Sequence, residues 1–364
     1  MPLPEVPEVP GALSAGQLLT TARYLLAVQE PSGAIPWFPG GRLDPWDHVE
    51  CAMALTVAGH RAEAVRAYEW LAAMQRPDGS WPAAYRRGGS DRVSDPTREA
   101  NQTAYLATGV WHHLLVTGDT GAATRLWPAV RRALEFVLAL QAPRGEVRWA
   151  RGPDGSPAPF ALLTGCSSVY HALRCGVALG ERLDDPQPGW ELAADRLGHL
   201  VAEHEDVFAD RSRYSMDWYY PVLGGAVRGA AARERFHRRW SEFVVRGLGA
   251  RCVSDQPWVT AAESSELVLA LDAAGLRGPA LRLFRDIQHL RDETGAYWTG
   301  YQFANDVRWP VERTTWTSAA VILAADALSG ATPGSALFRA PTDRPLERPA
   351  APDPAACGCG VRVA

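Results

Sequence analysis

The chain has 364 residues, of which 47% are hydrophobic and 21% charged, with a formal net charge of −4. That balance excludes a disordered chain and one built to neutralise phosphate backbones, so no nucleic-acid partner is expected. All 37 basic residues are arginines, which excludes Schiff-base and pyridoxal chemistry, the Walker phosphate loop and the protein-kinase fold, each of which needs a lysine amine.

The opening MPLPEVPEVP lacks a basic region followed by an apolar stretch, and residues 1–14 read as a flexible N-terminal segment. No run approaches the ~18 uncharged apolar residues of a membrane span. Six scattered cysteines do not suggest a disulfide scaffold, so a reduced, cytoplasmic setting is expected.

From there the apolar spacing is helical almost throughout. In TRLWPAVRRALEFVLALQ, Leu126, Val130, Leu134, Val137 and Leu140 form one stripe, with Arg131, Arg132 and Glu135 off it. Breaks at Gly, Pro and capping residues give helical stretches near 15–29, 46–58, 60–75, 98–117, 120–141, 165–181, 189–205, 219–231, 232–247, 258–274, 277–290 and 313–329. Odd-numbered stretches are rich in charge, as in AARERFHRRWSEFVVR. Even-numbered ones are nearly free of it, and residues 102–117 contain no Asp, Glu or Arg. A helix apolar on most sides is buried on most sides, whereas a one-striped helix lies outside.

Links from even to odd stretches are short, while most links from odd to even are long. Alternating inner and outer helices in six hairpins predict an all-α fold, an (α/α)6 barrel or toroid spanning 15–330 as a single domain. Its long loops then lie on one face, at the N-termini of the inner ring. The Pro/Ala/Arg-rich tail 331–364, with Cys357 and Cys359, reads as disordered.

Helix ends also repeat a Gln, a Gly and a Trp: Gln29, Gly33 and Trp37; Gln75, Gly79 and Trp81; Gln141, Gly145 and Trp149; and a worn copy at Gln288, Gly295 and Trp298. The second copy, with Arg66-Ala67 and Trp70-Leu71 before it, resembles the QW motif of squalene-hopene cyclases and related terpenoid cyclases. The resemblance implies a toroid and concerns the joinery of the fold rather than an activity.

The segments entering the inner helices converge in such a ring. They bring Trp46, Asp47, His48 and Glu50; Asn101 and Tyr105; Ser167, Tyr170 and His171; Asp217, Trp218 and Tyr219; Trp258 and Glu263; and Trp298, Tyr301, Glu312, Arg313 and Trp316. Asp, Ser and Thr at helix starts are ordinary caps. Capping does not account for Glu50, Glu263 and Glu312 in or beside uncharged helices, because a buried carboxylate without a partner is costly.

Carboxylates on opposite walls of a cavity lined by Trp and Tyr suit a sugar: rings stack on aromatic faces, one acid protonates and another activates water. The architecture resembles the six-hairpin glycosidases. Several of those families place one catalytic carboxylate in an early loop and the other just before the last inner helix, which here implies Asp47 as general base and Glu312 as general acid, with Glu50, Asp217 and Glu263 as further candidates. The remaining residues named above other than His171, with His48 and Arg313 included, are expected to bind substrate. The ring of positive helix ends, with Arg313, suggests that this sugar carries negative charge.

Neither a cofactor nor a metal is expected, since Cys166, His171 and Cys175 lie at offsets of 5 and 9 that do not share one helical face. Three other readings stay open. A terpenoid cyclase or prenyltransferase-like protein acting on an isoprenoid fits the repeat, but the DxDD cluster of the cyclases is missing. A cofactor-free sugar epimerase or isomerase would use His48, His171 and His289. The last is a glycan or lipid binder without catalysis.

Overall fold

The computed structural model describes residues 5–86 and 92–340. Within them lie twelve α-helices: α1 (Ala15–Val28), α2 (Pro45–Val57), α3 (Arg61–Ala73), α4 (Ala100–Thr117), α5 (Thr120–Leu138), α6 (Leu163–Arg182), α7 (Pro188–Glu203), α8 (Ser215–Leu223), α9 (Gly229–Phe243), α10 (Ala261–Ala273), α11 (Arg277–Asp286) and α12 (Thr315–Ser329).

The even-numbered helices contact one another in the closed order α2, α4, α6, α8, α10, α12 and back to α2. Each outer helix packs on the inner helix before it, and α1 closes the circle against α12. Uncharged sequence therefore maps to the inner ring. In α2, α4, α10 and α12 nearly every residue is buried, whereas in α9 only Ala232, Phe236 and Phe243 are. The fold is the all-α barrel of hairpins that the alternation predicts.

The Gln-Gly-Trp repeat is a set of ties between hairpins. Gln29 Nε2 donates to the carbonyls of Gly33 at 3.1 Å and of Glu63, on α3, at 3.0 Å. Gln75 does the same to Gly79 and to Ala129 on α5, both at 2.9 Å, and Gln141 to Gly145 at 2.9 Å and Ala193 on α7 at 3.0 Å. The glycines are obligatory at two of these joints. Gly33 has φ +102° and Gly79 φ +88°, and a Cβ on them would come within 2.4 Å of the Arg66 carbonyl and 2.1 Å of the Arg132 carbonyl. In the worn copy Gln288 turns back to Phe284, and the tie is made instead by Thr21 Oγ1 of α1 to the Gly295 carbonyl at 2.7 Å.

Three features depart from the sequence expectation. Short antiparallel strands occur on the loop face, among them the five-stranded sheet Val244–Val245, Gly249–Arg251, Trp258–Thr260, Gly300–Gln302 and Val307–Arg308. Strands of two or three residues are too short to leave an alternating pattern. The eighth helix runs from Ser215 to Leu223, where Gly224 and Gly225 end it, and not over 219–231.

The ends of the chain are also more engaged than expected. Val9 and Leu13 are buried. Residues 331–340, part of the expected disordered tail, pack across the end of the ring opposite the long loops. Thr332 donates from N and Oγ1 to Asp326 at 2.9 and 2.6 Å, Leu337 is buried, and Phe338 stacks on His171 at 4.9 Å between centroids. Arg228 holds the Phe338 carbonyl at 2.7 Å, and Arg339 pairs with Asp272. One turn, Pro333–Ala336, suffices to bury this segment without an apolar period. Cys357 and Cys359 lie outside the described residues.

Candidate active site

The start of α2 builds the first wall. Asp44 is its N-cap: Oδ1 accepts the Asp47 backbone N–H at 3.0 Å and Oδ2 accepts Trp37 Nε1 at 2.7 Å. The Arg42 guanidinium lies 3.6 Å over the Trp37 ring. Asp47 follows in the first turn, half-buried beside Asp44. Burial, then Asp44 and Glu50, hold its pKa well above the usual carboxylate range, with Arg42 opposing.

Glu50 comes one turn deeper on the same helix face. Only 3% exposed, it takes the Tyr105 hydroxyl on Oε1 at 3.2 Å, while Oε2 has no bonded partner. Burial, and next Glu266, push its pKa well up. Trp46 stacks on Tyr105 at 4.8 Å and meets the edge of Tyr220 at 5.8 Å.

The second wall repeats this spacing on α10. Glu263 stands in the first turn, buried, and takes a hydrogen bond from the Cys252 thiol. Glu266 is one turn deeper. Tyr219 and Tyr220 both donate to it, the latter at 2.5 Å. Burial pushes its pKa up to about 7 although the two phenols pull it down.

In the ring α12 separates α2 from α10. Glu50 and Glu266 nonetheless line one internal cavity of about 10 Å3, with Tyr105, Ser168, His171, Tyr220 and Phe338. Asp47 and Glu263 sit three residues before them on the same helix faces, one turn nearer the loops. The structure thus brings Asp47, Glu50, Glu263, Tyr105, Trp46 and Tyr219 together around one end of the ring.

Glu312 lies on the approach to α12, half-exposed. Its carbonyl accepts Thr299 N at 3.1 Å and Oγ1 at 3.2 Å, and its carboxylate is bonded to none of the described residues. It stands beside α2 and not on the opposite wall, which belongs to α8. Around it are Trp316, tilted against Trp37 at 6.4 Å, and Trp258, which meets Trp309 edge-on at 5.2 Å and donates from Nε1 to its carbonyl at 2.7 Å. Trp309 is 54% exposed and Val311 82%. Asn101 is half-buried at the start of α4, against Gly165 of α6.

Several expected site residues serve the scaffold instead. Asp217 Oδ1 takes Thr164 N at 3.2 Å and Oγ1 at 2.5 Å, and the side chain lines an outer groove with Glu205 and Arg235. His48 is fully buried, its Nδ1 bonded to Ile35 N at 3.2 Å and its Nε2 to the Ala67 carbonyl at 2.8 Å, and burial lowers its pKa to about 4. Trp218 is wedged among Phe236, Trp240 and Phe243. Ser167 bonds back to Leu163, and Tyr170 packs on Gly198 of α7.

Arg313 pairs with Asp292 and lies 4.8 Å over Trp298, so its charge is already met. Tyr301 donates to Asp306 at 2.8 Å under Arg308. His171 lies beneath Phe338, and His289 is bonded to the Leu248 carbonyl. The three histidines therefore do not face one another across a common space.

Glu266, Tyr220, Asp44 and Trp37 stand with Asp47, Glu50 and Glu263 in the structure, and none of the four is among the site residues expected from the sequence. The signal for Glu266 was present, as a second charge three residues after Glu263 in an otherwise uncharged stretch. Glu99 was also passed over. It begins α4, accepts Trp149 Nε1 at 3.2 Å, and has its pKa pushed up to about 7 by burial.

No family model matches the chain. Over 337 residues, 93% of each protein, it is 56% identical to the "MMP endo-(1,4)-3-O-methyl-alpha-D-mannosidase" of Mycolicibacterium hassiacum. Solved structures share the fold at low identity. A wild-type glycosidase, 17% identical, superposes with a TM-score of 0.68 over 86% of this chain and 97% of its own. A rhamnosidase from Klebsiella oxytoca with rhamnose bound gives 0.62 at 16% identity, over 93% of this chain and 66% of that one. A D-mannose isomerase gives 0.63 at 11%, over 85% and 95%.

Proposed function

We propose that this chain, which belongs to the family of the Mycolicibacterium hassiacum MMP endo-(1,4)-3-O-methyl-alpha-D-mannosidase and is a glycoside hydrolase, cuts internal α-(1,4) bonds in chains of 3-O-methylmannose. The observation that carries the reading is the doubled carboxyl spacing, Asp47 with Glu50 and Glu263 with Glu266, on two inner helices that line one cavity of the ring. A 3-O-methyl group removes a hydroxyl donor and adds apolar surface. The indole rings of Trp37, Trp46, Trp258, Trp309 and Trp316 suit such a sugar, and a neutral one agrees with the pairing of Arg313 to Asp292.

In this reading Asp47 is the general acid. A half-buried carboxyl crowded by two others keeps its proton, and gives it to the glycosidic oxygen as the bond to the anomeric carbon breaks. Glu263, from the other wall, takes a proton from the water that attacks that carbon. Asp47 regains a proton from solvent and Glu263 releases one. The roles differ from the sequence expectation because burial among acids favours the protonated form of Asp47. Glu312 is the alternative partner, being half-exposed and free of bonded neighbours among the described residues.

The test is digestion of α-(1,4)-linked 3-O-methylmannose oligosaccharides of defined length, with the unmethylated series as comparator. Mid-chain fragments, and faster cleavage of the methylated series, are expected. Release of single terminal residues only, or no cleavage, overturns the reading.

A further inference from the structure

Beneath Asp47 and Glu263 lies a pair of carboxyls that the proposed chemistry does not use. Glu50 and Glu266 are each 3% exposed, line the same small cavity, and are served by phenols: one from Tyr105 for Glu50, two from Tyr219 and Tyr220 for Glu266. Glu50 Oε2, Ser168 Oγ and both ring nitrogens of His171 are buried without bonded partners, and all three residues line that cavity. Its volume of about 10 Å3 is close to the least that holds one water molecule, which needs two to four polar partners. Phe338, stacked on His171 and held by Arg228, closes the side away from the loops.

We propose that Glu50 and Glu266 hold a single proton between them, on Oε2 of Glu50, bridged by one water to Ser168 and His171, so that the pair sets one negative charge, not two, beneath Asp47. Both are positioning residues, and the proposal rests on the assignment of Asp47 as acid. Two carboxylates sharing a buried space do not both ionise. Glu266 accepts two close O–H groups and is therefore the anion, while Glu50, with one phenol at 3.2 Å, the Trp46 indole and an unpartnered Oε2, holds the proton.

The groups facing the pair are consistent with one net negative charge. From α2 come Asp44, Asp47 and Cys51; from α4 Tyr105; from α6 His171 and Cys175; from α8 Tyr219 and Tyr220; from α10 Glu263; and from the sheet side Cys252. Burial keeps His171 neutral by lowering its pKa to about 3, and the Arg228 guanidinium acts on it from behind.

The test is the pH–rate profile of the wild type, Glu50→Gln and Glu266→Gln on the methylated oligosaccharide. The alkaline limb reports loss of the Asp47 proton. Whatever its kcat, Glu50→Gln leaves that limb in place, because it replaces a neutral group by a neutral one. Glu266→Gln removes a charge and moves the limb down by about one pH unit. Equal downward shifts in both variants mean that both groups were ionised, and no shift in either means that both were protonated; either result overturns the proposal.

Infrared difference spectra of the resting enzyme give a second readout, independent of hydrolysis. The wild-type minus Glu50→Gln spectrum should contain the C=O stretch of a protonated carboxylic acid, and its absence overturns the proposal even if Glu266→Gln does not fold. Should Asp47→Asn remain fully active, the acid assignment fails, while the infrared band still decides where the buried proton lies.

Discussion

Trp46 lies flat against Tyr105, 4.8 Å between ring centroids, so the second residue of α2 also holds the phenol that serves Glu50. Replacing Trp46 by Ala should cost about 3–5 kcal/mol of stability and lower activity together with it, whereas Trp46→Phe should keep most of both. Urea unfolding read beside kcat/KM checks this. A fully stable, fully active Ala variant would mean that the stacking carries no function.

The roles proposed for the carboxyls separate in kinetics. Asp47→Asn and Glu263→Gln are each expected to lower kcat by about 10²–10⁴ with little change in KM, the range of a lost acid or base. Glu312→Gln should lose less than about tenfold. A larger loss at Glu312 than at Glu263 would transfer the second role to the approach to α12.

Trp309 is the most exposed tryptophan of the loop face, and the hydrogen bond that fixes Trp258 goes to its carbonyl, its ring adding one edge-on contact at 5.2 Å. Trp309→Ala should therefore raise KM for the oligosaccharide with kcat nearly unchanged, and shift stability by no more than about 0.5 kcal/mol, as exposed substitutions do. Initial-rate kinetics over a substrate series decides. An unchanged KM places the sugar elsewhere.

Stability should fall on both sides of the mildly acidic range. Burial lowers the pKa of His48 and His113 to about 4 and of His112 and His171 to about 3. The unfolded chain then binds more protons as pH drops below 6.5, and the stability these residues contribute is lost toward pH 4. Glu99, raised to about 7, and Asp326, raised to about 6, act oppositely. There the folded chain binds more protons, and stability falls as pH rises from about 4.5 to 7. Urea midpoints from pH 4 to 8 should show a steeper acid-side fall in Glu99→Gln and a shallower one in His113→Gln. Profiles parallel to wild type would refute the assignment.

The short segment after α12 should matter for stability although it reads as tail. Leu337→Ala should cost about 2–3 kcal/mol, and a chain ended at Gly330 should unfold at clearly lower urea than the full chain. Equal midpoints would show that the packing of Leu337 and Phe338 contributes nothing.

How much of this could be read beforehand follows from where the signals sit. Inner and outer helices differ in charge along the chain, so the ring was legible without coordinates. Glu50 and Glu263 stood out because a charge in an uncharged helix is conspicuous. Glu266 gave the same signal, but its meaning depends on α2 and α10 lining a common cavity, a relation no local pattern contains. His48 and Trp218 were misplaced for a related reason. An inner helix is apolar all round, so nothing in its sequence tells which side chains face the loops and which face the next layer. The packing of residues 331–340 was hidden because one turn holding Leu337 has no period to detect.

Thr21 bonded to Gly295, Tyr24 to the Arg313 carbonyl and Thr315 to the Pro36 and Trp37 carbonyls form a seam between chain regions 274 to 289 residues apart. During synthesis the first hairpin must wait, unpartnered on one side, until the last has left the ribosome. The wall bearing Asp47 acquires its α12 neighbour only when that seam shuts, so hydrolytic competence arrives as the final event of assembly and nascent fragments have none of it.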